Sequence, residues 1–253
     1  MEKVELTEEQ KKRIAENACK FAFEAGIKYF ACAPGTFEGI CRAFREEGIE
    51  LMPLEVEEAI HMGMMGMHGG TAATGVGTCG AVTAACFLIA YVVGLTRKEL
   101  MENSAPRVTA SLPAIINIVN RVEETFGAID CLRLRYNRTQ RAFDFLDPDA
   151  RFWEMMFIVT EKDKCGMLST KEPKDVDHPV ILVAKWGAEA ICELLQMDPQ
   201  ERKAVPPDLA KPPDVFEIEE KIAPILREMC FPNQKIPYRY RRAEKLGKYN
   251  REI

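Results

Sequence analysis

An all-α fold, a multi-helix bundle with long loops and an extended C-terminal arm, is what this sequence predicts, on three observations. Residues 6–26 place Ile14, Ala18, Phe21 and Ala25 on one helical face, behind a Thr7…Gln10 capping-box pattern. Residues 180–195 read as a second clear helix, introduced by His178-Pro179. Between them a loop of glycines and small residues, opening at Gly69-Gly70, runs into an apolar segment that ends at Gly94. What precedes that loop is rich in Gly and Met and has no strand alternation, so Gly75-x-Gly77-x-x-Gly80 is not a dinucleotide fingerprint, which needs a strand before it.

Bulk composition bounds the function. The chain has 253 residues, 47% hydrophobic and 29% charged, with a formal net charge of −5, enough apolar material for one large domain or two small ones. Mild acidity argues against a general nucleic-acid or membrane-surface binder. The first residues lack the apolar core of a signal peptide, and the longest apolar run, 81–95, is shorter than the ~18 residues of a membrane span. A cytoplasmic protein is therefore expected. In that compartment nine cysteines point away from a disulfide framework and toward metal ligation, redox chemistry or small buried side chains.

In chain order, Gly26 ends the first helix. Tyr29-Phe30-Ala31-Cys32-Ala33-Pro34-Gly35 reads as a turn, because a residue before proline is biased away from helix. Residues 36–48 follow as a second helix, and Pro53 starts a third with Glu55, Glu57 and Glu58 at its positive end. Its continuation, His61-Met62-Gly63-Met64-Met65-Gly66-Met67-His68, invites a copper or haem reading. Helix packing is the better one, since methionine fills gaps and the single Glu58-x-x-His61 is half of a di-iron motif. Residues 96–103 and 108–126 are further helices, the latter carrying Pro113 as an early-turn proline or a kink. The polar segment 133–149, with Arg133, Arg135, Arg138 and Arg141, reads as a solvated excursion in preference to an anion-contacting arm. After Met197 prolines accumulate, so the chain divides into a cysteine-rich domain over 1–197 and an extension over 198–253. The extension holds a helix at 214–230 and a tail at 235–251 with three tyrosines among seven basic residues, read as an arm for a partner subunit.

The cysteines sort by setting. Cys32, Cys79, Cys131 and Cys165 sit in turns or at helix boundaries, whereas Cys19, Cys41, Cys86, Cys192 and Cys230 lie inside helical patterns. Thr78 as N-cap would put Cys79 in the first turn of its helix, where the dipole favours a thiolate. Gly70, Gly77 and Gly80 are candidate cofactor-binding positions, giving a backbone room to approach a cluster or another subunit. Cys86, seven residues after Cys79, is ~10 Å further along the helix and is assigned to the core.

On these residues the chain resembles the redox-active proteins named for a C–GCAxxG–C–C pattern. Gly77-Thr78-Cys79-Gly80-Ala81 is similar to the family's central motif, and Phe126-Gly127-Ala128-Ile129-Asp130-Cys131 to its third-cysteine segment. Cys32 and Cys165 stand where its first and fourth cysteines fall. Ala84 replaces the motif's last glycine, the segment from Cys131 to Cys165 is longer, and everything after Met197 is additional. A related domain occurs in split-Soret cytochromes, where the resemblance implies an iron–sulfur site; their haem-binding part has no counterpart here.

The leading expectation is an electron-transfer protein whose Cys32, Cys79, Cys131 and Cys165 bind an iron–sulfur cluster, of the two-iron rather than four-iron type, four thiolates being the standard ligand set. Zinc in a four-cysteine site is the structural variant. The alternatives are a thiol–disulfide oxidoreductase attacking through Cys79, and a non-catalytic accessory subunit. A homodimer and an unnamed redox partner protein are expected, without membrane or nucleic acid.

Overall fold

The computed structural model describes residues 1–205 apart from 104, 105, 145, 146 and 167. The chain separates into two units, Met1–Pro206 and Pro207–Ile253. The predicted helix at 214–230 with Cys230, and the basic arm at 235–251, lie outside the described residues. The first unit is built from α1 (Glu8–Tyr29), α2 (Cys32–Glu46), α3 (Leu54–Met64), α4 (Gly80–Val93), α5 (Arg97–Glu102) and α6 (Arg107–Ala114). It continues through α7 (Asn120–Phe126), α8 (Cys131–Thr139), α9 (Pro148–Thr160), α10 (Lys162–Cys165), α11 (Pro179–Leu195) and α12 (Pro199–Arg202). No strand occurs among the described residues, and Thr78 and Asp130 form one isolated antiparallel bridge. The fold is all-α. No helix among those residues is long and apolar enough to cross a membrane.

Four helices, α1, α2, α4 and α11, pack into the core around Phe37, Ile40, Phe44, Leu88, Ile89 and Ile191. α1 starts where Thr7 and Gln10 exchange side-chain-to-backbone hydrogen bonds, the predicted capping box. It ends in a two-residue corner, Phe30 left-handed and Ala31 extended, that turns the chain straight back into α2. The two backbones lie close. A Cβ on Gly39 would stand 2.5 Å from that of Ala22, and one on Gly35 would stand 3.0 Å from the Gly26 Cα. This tight crossing fixes where α2 begins.

α2 corrects the sequence reading of that corner. The helix begins at Cys32, not at 36, with Pro34 inside its first turn, where a missing N–H has no intrahelical partner to lose. Residues 107–126 form one helical run, as the pattern predicts, but with a π turn at Ile115–Val119 just after Pro113. Proline removes a donor and crowds the preceding turn, and the wider turn with an Asn117 side-chain bond to the Pro113 carbonyl absorbs the mismatch. The arginine-rich segment is also corrected: it opens as α8, capped by the Asp130 carboxylate on the Arg133 amide.

Candidate functional site

The site grows from three helix beginnings. Cys32 is the first residue of α2, Cys79 the N-cap of α4 and Cys131 the first residue of α8. Thr78 is therefore not the cap; the cysteine itself occupies that position. Backbone pairing sets Cys79 beside Cys131. The Cys79 amide donates to the Ile129 carbonyl at 2.8 Å, and the Cys131 amide to the Gly77 carbonyl at 3.0 Å, flanking the Thr78–Asp130 bridge. Cys165 comes last, closing α10 just before a left-handed Gly166.

All four line one cavity of about 340 Å³. The other described cysteines, Cys19, Cys41, Cys86 and Cys192, lie within helices and away from that cavity, and every described cysteine is a free thiol. Among the described residues, no three His, Cys, Asp or Glu side chains are gathered tightly enough to hold a metal ion on their own. What the four cysteines share is the lining of that cavity.

Electrostatics distinguish the thiols. Cys32 is held down at about 6, first by a hydrogen bond with the Cys79 side chain and then, against its burial, by the amides of Gly69 and Gly80. Cys79 goes the other way, well above the ordinary thiol value, because its bond to Cys32, its burial and the Cys32 charge all favour its proton. This reverses the sequence expectation that Cys79 is the thiolate. Two hydrogen-bonded sulfurs share one proton, and the backbone donors converge on Cys32. Cys131 is pushed up to about 12 by burial and the Cys32 charge. Burial alone raises Cys86 to about 11.

The glycine-rich loop shapes the sulfur end. Gly69, Gly70, Thr71, Ala72 and Ala73 all have positive φ, a left-handed turn in which three residues carry a Cβ. The Gly69 amide reaches the Cys32 Sγ at 3.4 Å. Gly70, Gly77 and Gly80, the sequence candidates for cofactor contact, are not among the cavity-lining residues. Each is filled by the chain itself. A Cβ would stand 2.9 Å from Cys131 Cβ at Gly70, 2.6 Å from the Gly70 carbonyl at Gly77, and 2.7 Å from Cys32 Sγ at Gly80. These glycines let the cysteine-bearing segments approach one another.

Sequence reasoning left the arginines of 133–149 in solvent and gave the remaining cavity lining no role. Arg135 and Arg138 from α8, Arg151 and Glu154 from α9, and His68 and His178 also line the cavity. Arg135 pairs with Glu154, while Arg138 donates to the carbonyls of Lys164 and Cys165 and so ties α8 to the end of α10. His178 caps α11 and is kept neutral by its burial, then by Arg138 and Arg135. A readable signal existed: positions 131, 135 and 138 are spaced i, i+4, i+7, one face of a helix that begins at a candidate cysteine.

Fold and site together define an all-α protein with a cysteine-lined cavity at converging helix N-termini. No protein-family model matches the chain, and neither the curated proteins nor the solved structures contain a match to it.

Proposed function

We propose that this chain is a redox protein that holds an iron–sulfur cluster on Cys32, Cys79, Cys131 and Cys165 and acts in electron transfer. The observation that carries the reading is the meeting of these four cysteines, from four separated segments, in one cavity. Three of them stand at helix N-termini, where backbone amides and dipoles favour negative charge. A cluster bound there would supply a one-electron carrier. The protein's part is to provide sulfur ligands, to neutralise charge through the helix ends and Arg138, and to keep the site largely buried. A two-iron cluster is the group proposed, with zinc in a four-cysteine site as the structural variant. Likeness to the C–GCAxxG–C–C proteins, a cytoplasmic setting and a redox partner protein are parts of the same proposal. So is a homodimer, for which the apolar outer face of α9, with Phe152, Trp153, Met156 and Val159 exposed, is the supporting feature.

Anaerobic reconstitution with iron and sulfide tests the reading. Wild type is expected to retain both, with visible charge-transfer absorption, and each single serine variant at Cys32, Cys79 and Cys131 to lose them, while Cys86→Ser does not. Wild type that takes up no iron overturns it.

A second reading rests on the Cys32–Cys79 hydrogen bond. There the Cys32 thiolate attacks a substrate disulfide and expels one thiolate. Cys79, once deprotonated, then displaces the second, leaving a Cys32–Cys79 disulfide and a reduced substrate. Mass mapping of that bond after incubating metal-free protein with an oxidised dithiol separates the two.

A further inference from the structure

The four cysteines are not rooted alike. Cys79 belongs to the main apolar core and Cys32 packs against it, while the Cys131 amide is bonded to the Gly77 carbonyl just before α4. Cys165 lies apart. It joins Phe157 and Ile158 of α9 in a separate apolar cluster, completed by Phe143 and Leu168. No residue of 148–165 is part of the core around Phe37 and Leu88, and α9 packs chiefly against α10. The two helices thus form a flap, with Arg151, Glu154, Met155, Phe157 and Ile158 lining the cavity. Polar contacts fasten it to α8: the Arg135–Glu154 pair, and Arg138 on the carbonyls of Lys164 and Cys165. The Arg141 guanidinium also lies 5.5 Å from the centre of the Phe157 ring, and the Asp163 carboxylate accepts from Ser169 and Thr170. A left-handed residue stands at each end, Gln140 (φ 57°) after α8 and Gly166 (φ 83°) after α10.

A satellite cluster of this size buries little apolar surface of its own, and polar ties exchange readily for water. Such a unit opens at a lower free energy than the core it rests on. A dihedral change at a few element-terminal residues is enough for a hinge. We propose that α9–α10 is a lid hinged at Gln140 and Gly166, which lifts from the cavity as a unit while α1, α2, α4 and α11 stay folded. Lifting carries Cys165 away from Cys32, Cys79 and Cys131 and opens the cavity to solvent. In the iron–sulfur reading, and resting on it, Cys165 becomes the ligand that detaches while the other three hold the group. The hinge itself does not rest on that reading.

Native-state hydrogen exchange of the reduced, metal-free full chain, followed by mass spectrometry across low denaturant concentrations, tests it. Amides of α9 and α10 are expected to exchange together, at least about tenfold faster than those of α4. Their rate should depend less steeply on denaturant, because a lid exposes less surface than the whole unit. Glu154→Gln, which removes one tie to α8, is expected to speed lid exchange about fivefold and to leave α4 unchanged. Should that variant not fold, Ile158→Val, which trims the satellite cluster by one methyl, carries the same expectation of faster lid exchange. Lys98→Gln, at an exposed position on α5, should alter neither. Lid and α4 amides exchanging through one common opening, α9 amides with no protection, or wild-type lid exchange in both lid variants overturns the proposal. Iron and sulfide reconstitution of the same proteins keeps the readings apart. Lid opening without iron uptake sinks the cluster proposal alone, and iron uptake by a chain whose lid opens only with α4 sinks this one alone.

Discussion

At Cys32 a single sulfur collects what three segments offer: the Cys79 thiol, the Gly69 amide and the Gly80 amide. With its folded value at about 6, Cys32 is ionised in the native chain across a range where an unfolded thiol still holds its proton. Stability of metal-free protein should therefore rise as pH climbs from about 6 toward the ordinary thiol value, and this contribution is lost below 6. Cys79, shifted upward, works in the opposite sense and turns the trend down at higher pH. Alkylation of Cys32, followed by mass spectrometry, should reach half its maximal rate near pH 6. Cys79→Ala should move that midpoint upward by removing the bond that lowers it; an unmoved midpoint would assign the effect to the amides instead. Gly80 is the other decisive position. Its added Cβ would meet Cys32 Sγ and the Met67 carbonyl, both at 2.7 Å, so Gly80→Ala should cost about 1–3 kcal/mol in denaturant titration and raise the Cys32 midpoint as well.

Among the elements, the loop before α4 gathers three left-handed residues that carry a Cβ, where the α1–α2 corner has one, Phe30. Thr71, Ala72 and Ala73 hold left-handed φ values of 69°, 47° and 60°, a conformation costing about 1–2 kcal/mol for each residue with a Cβ. The turn is held by backbone bonds, Ala72 with the Gly66 carbonyl, Ala73 with His68 and Gly75 with Gly69. Strain of this kind gathers where a loop is held for a purpose, here presenting the Gly69 amide to Cys32. Ala72 is exposed, so Ala72→Gly should stabilise the protein by up to about 1 kcal/mol, read as a higher thermal midpoint. Gly39→Ala should do the reverse. With Ala22 only 2.5 Å away, α1 and α2 must part, costing about 2–3 kcal/mol and loosening the corner that delivers Cys32.

Over the whole described unit, its first residues and its last helix are laced together by one side chain. Arg202 is 3% exposed and donates to the carbonyls of Met1, Glu2, Leu195 and Met197. Beside it the Val4 amide bonds the Leu195 carbonyl at 2.9 Å. Arg202→Ala strands a buried carbonyl and releases the first residues, so a loss of about 2–3 kcal/mol is expected. Hydrogen exchange of the Val4 amide should speed up with it, while α4 amides keep their order of protection; a Val4 amide that stays protected would refute the lacing.

The sequence alone determined the all-α class, α1, α11 and the 107–126 run, and the grouping of the cysteines by setting. The Thr7–Gln10 box, the 180–195 helix and the glycine stop at Gly127 are local signals, decided within a few residues by hydrogen bonds that a neighbour can supply. It left undecided which thiol carries the charge, what the glycines face and where the arginines point. Those depend on partners far away in the chain: Gly69 and Cys79 on Cys32, Cys131 on Gly70, the Cys165 carbonyl on Arg138. The α2 boundary went the same way, since proline bias is a fraction of what the α1–α2 crossing imposes. Proton affinity, steric room and charge balance are sums over everything within a few ångströms, and only the tertiary structure brings those atoms together.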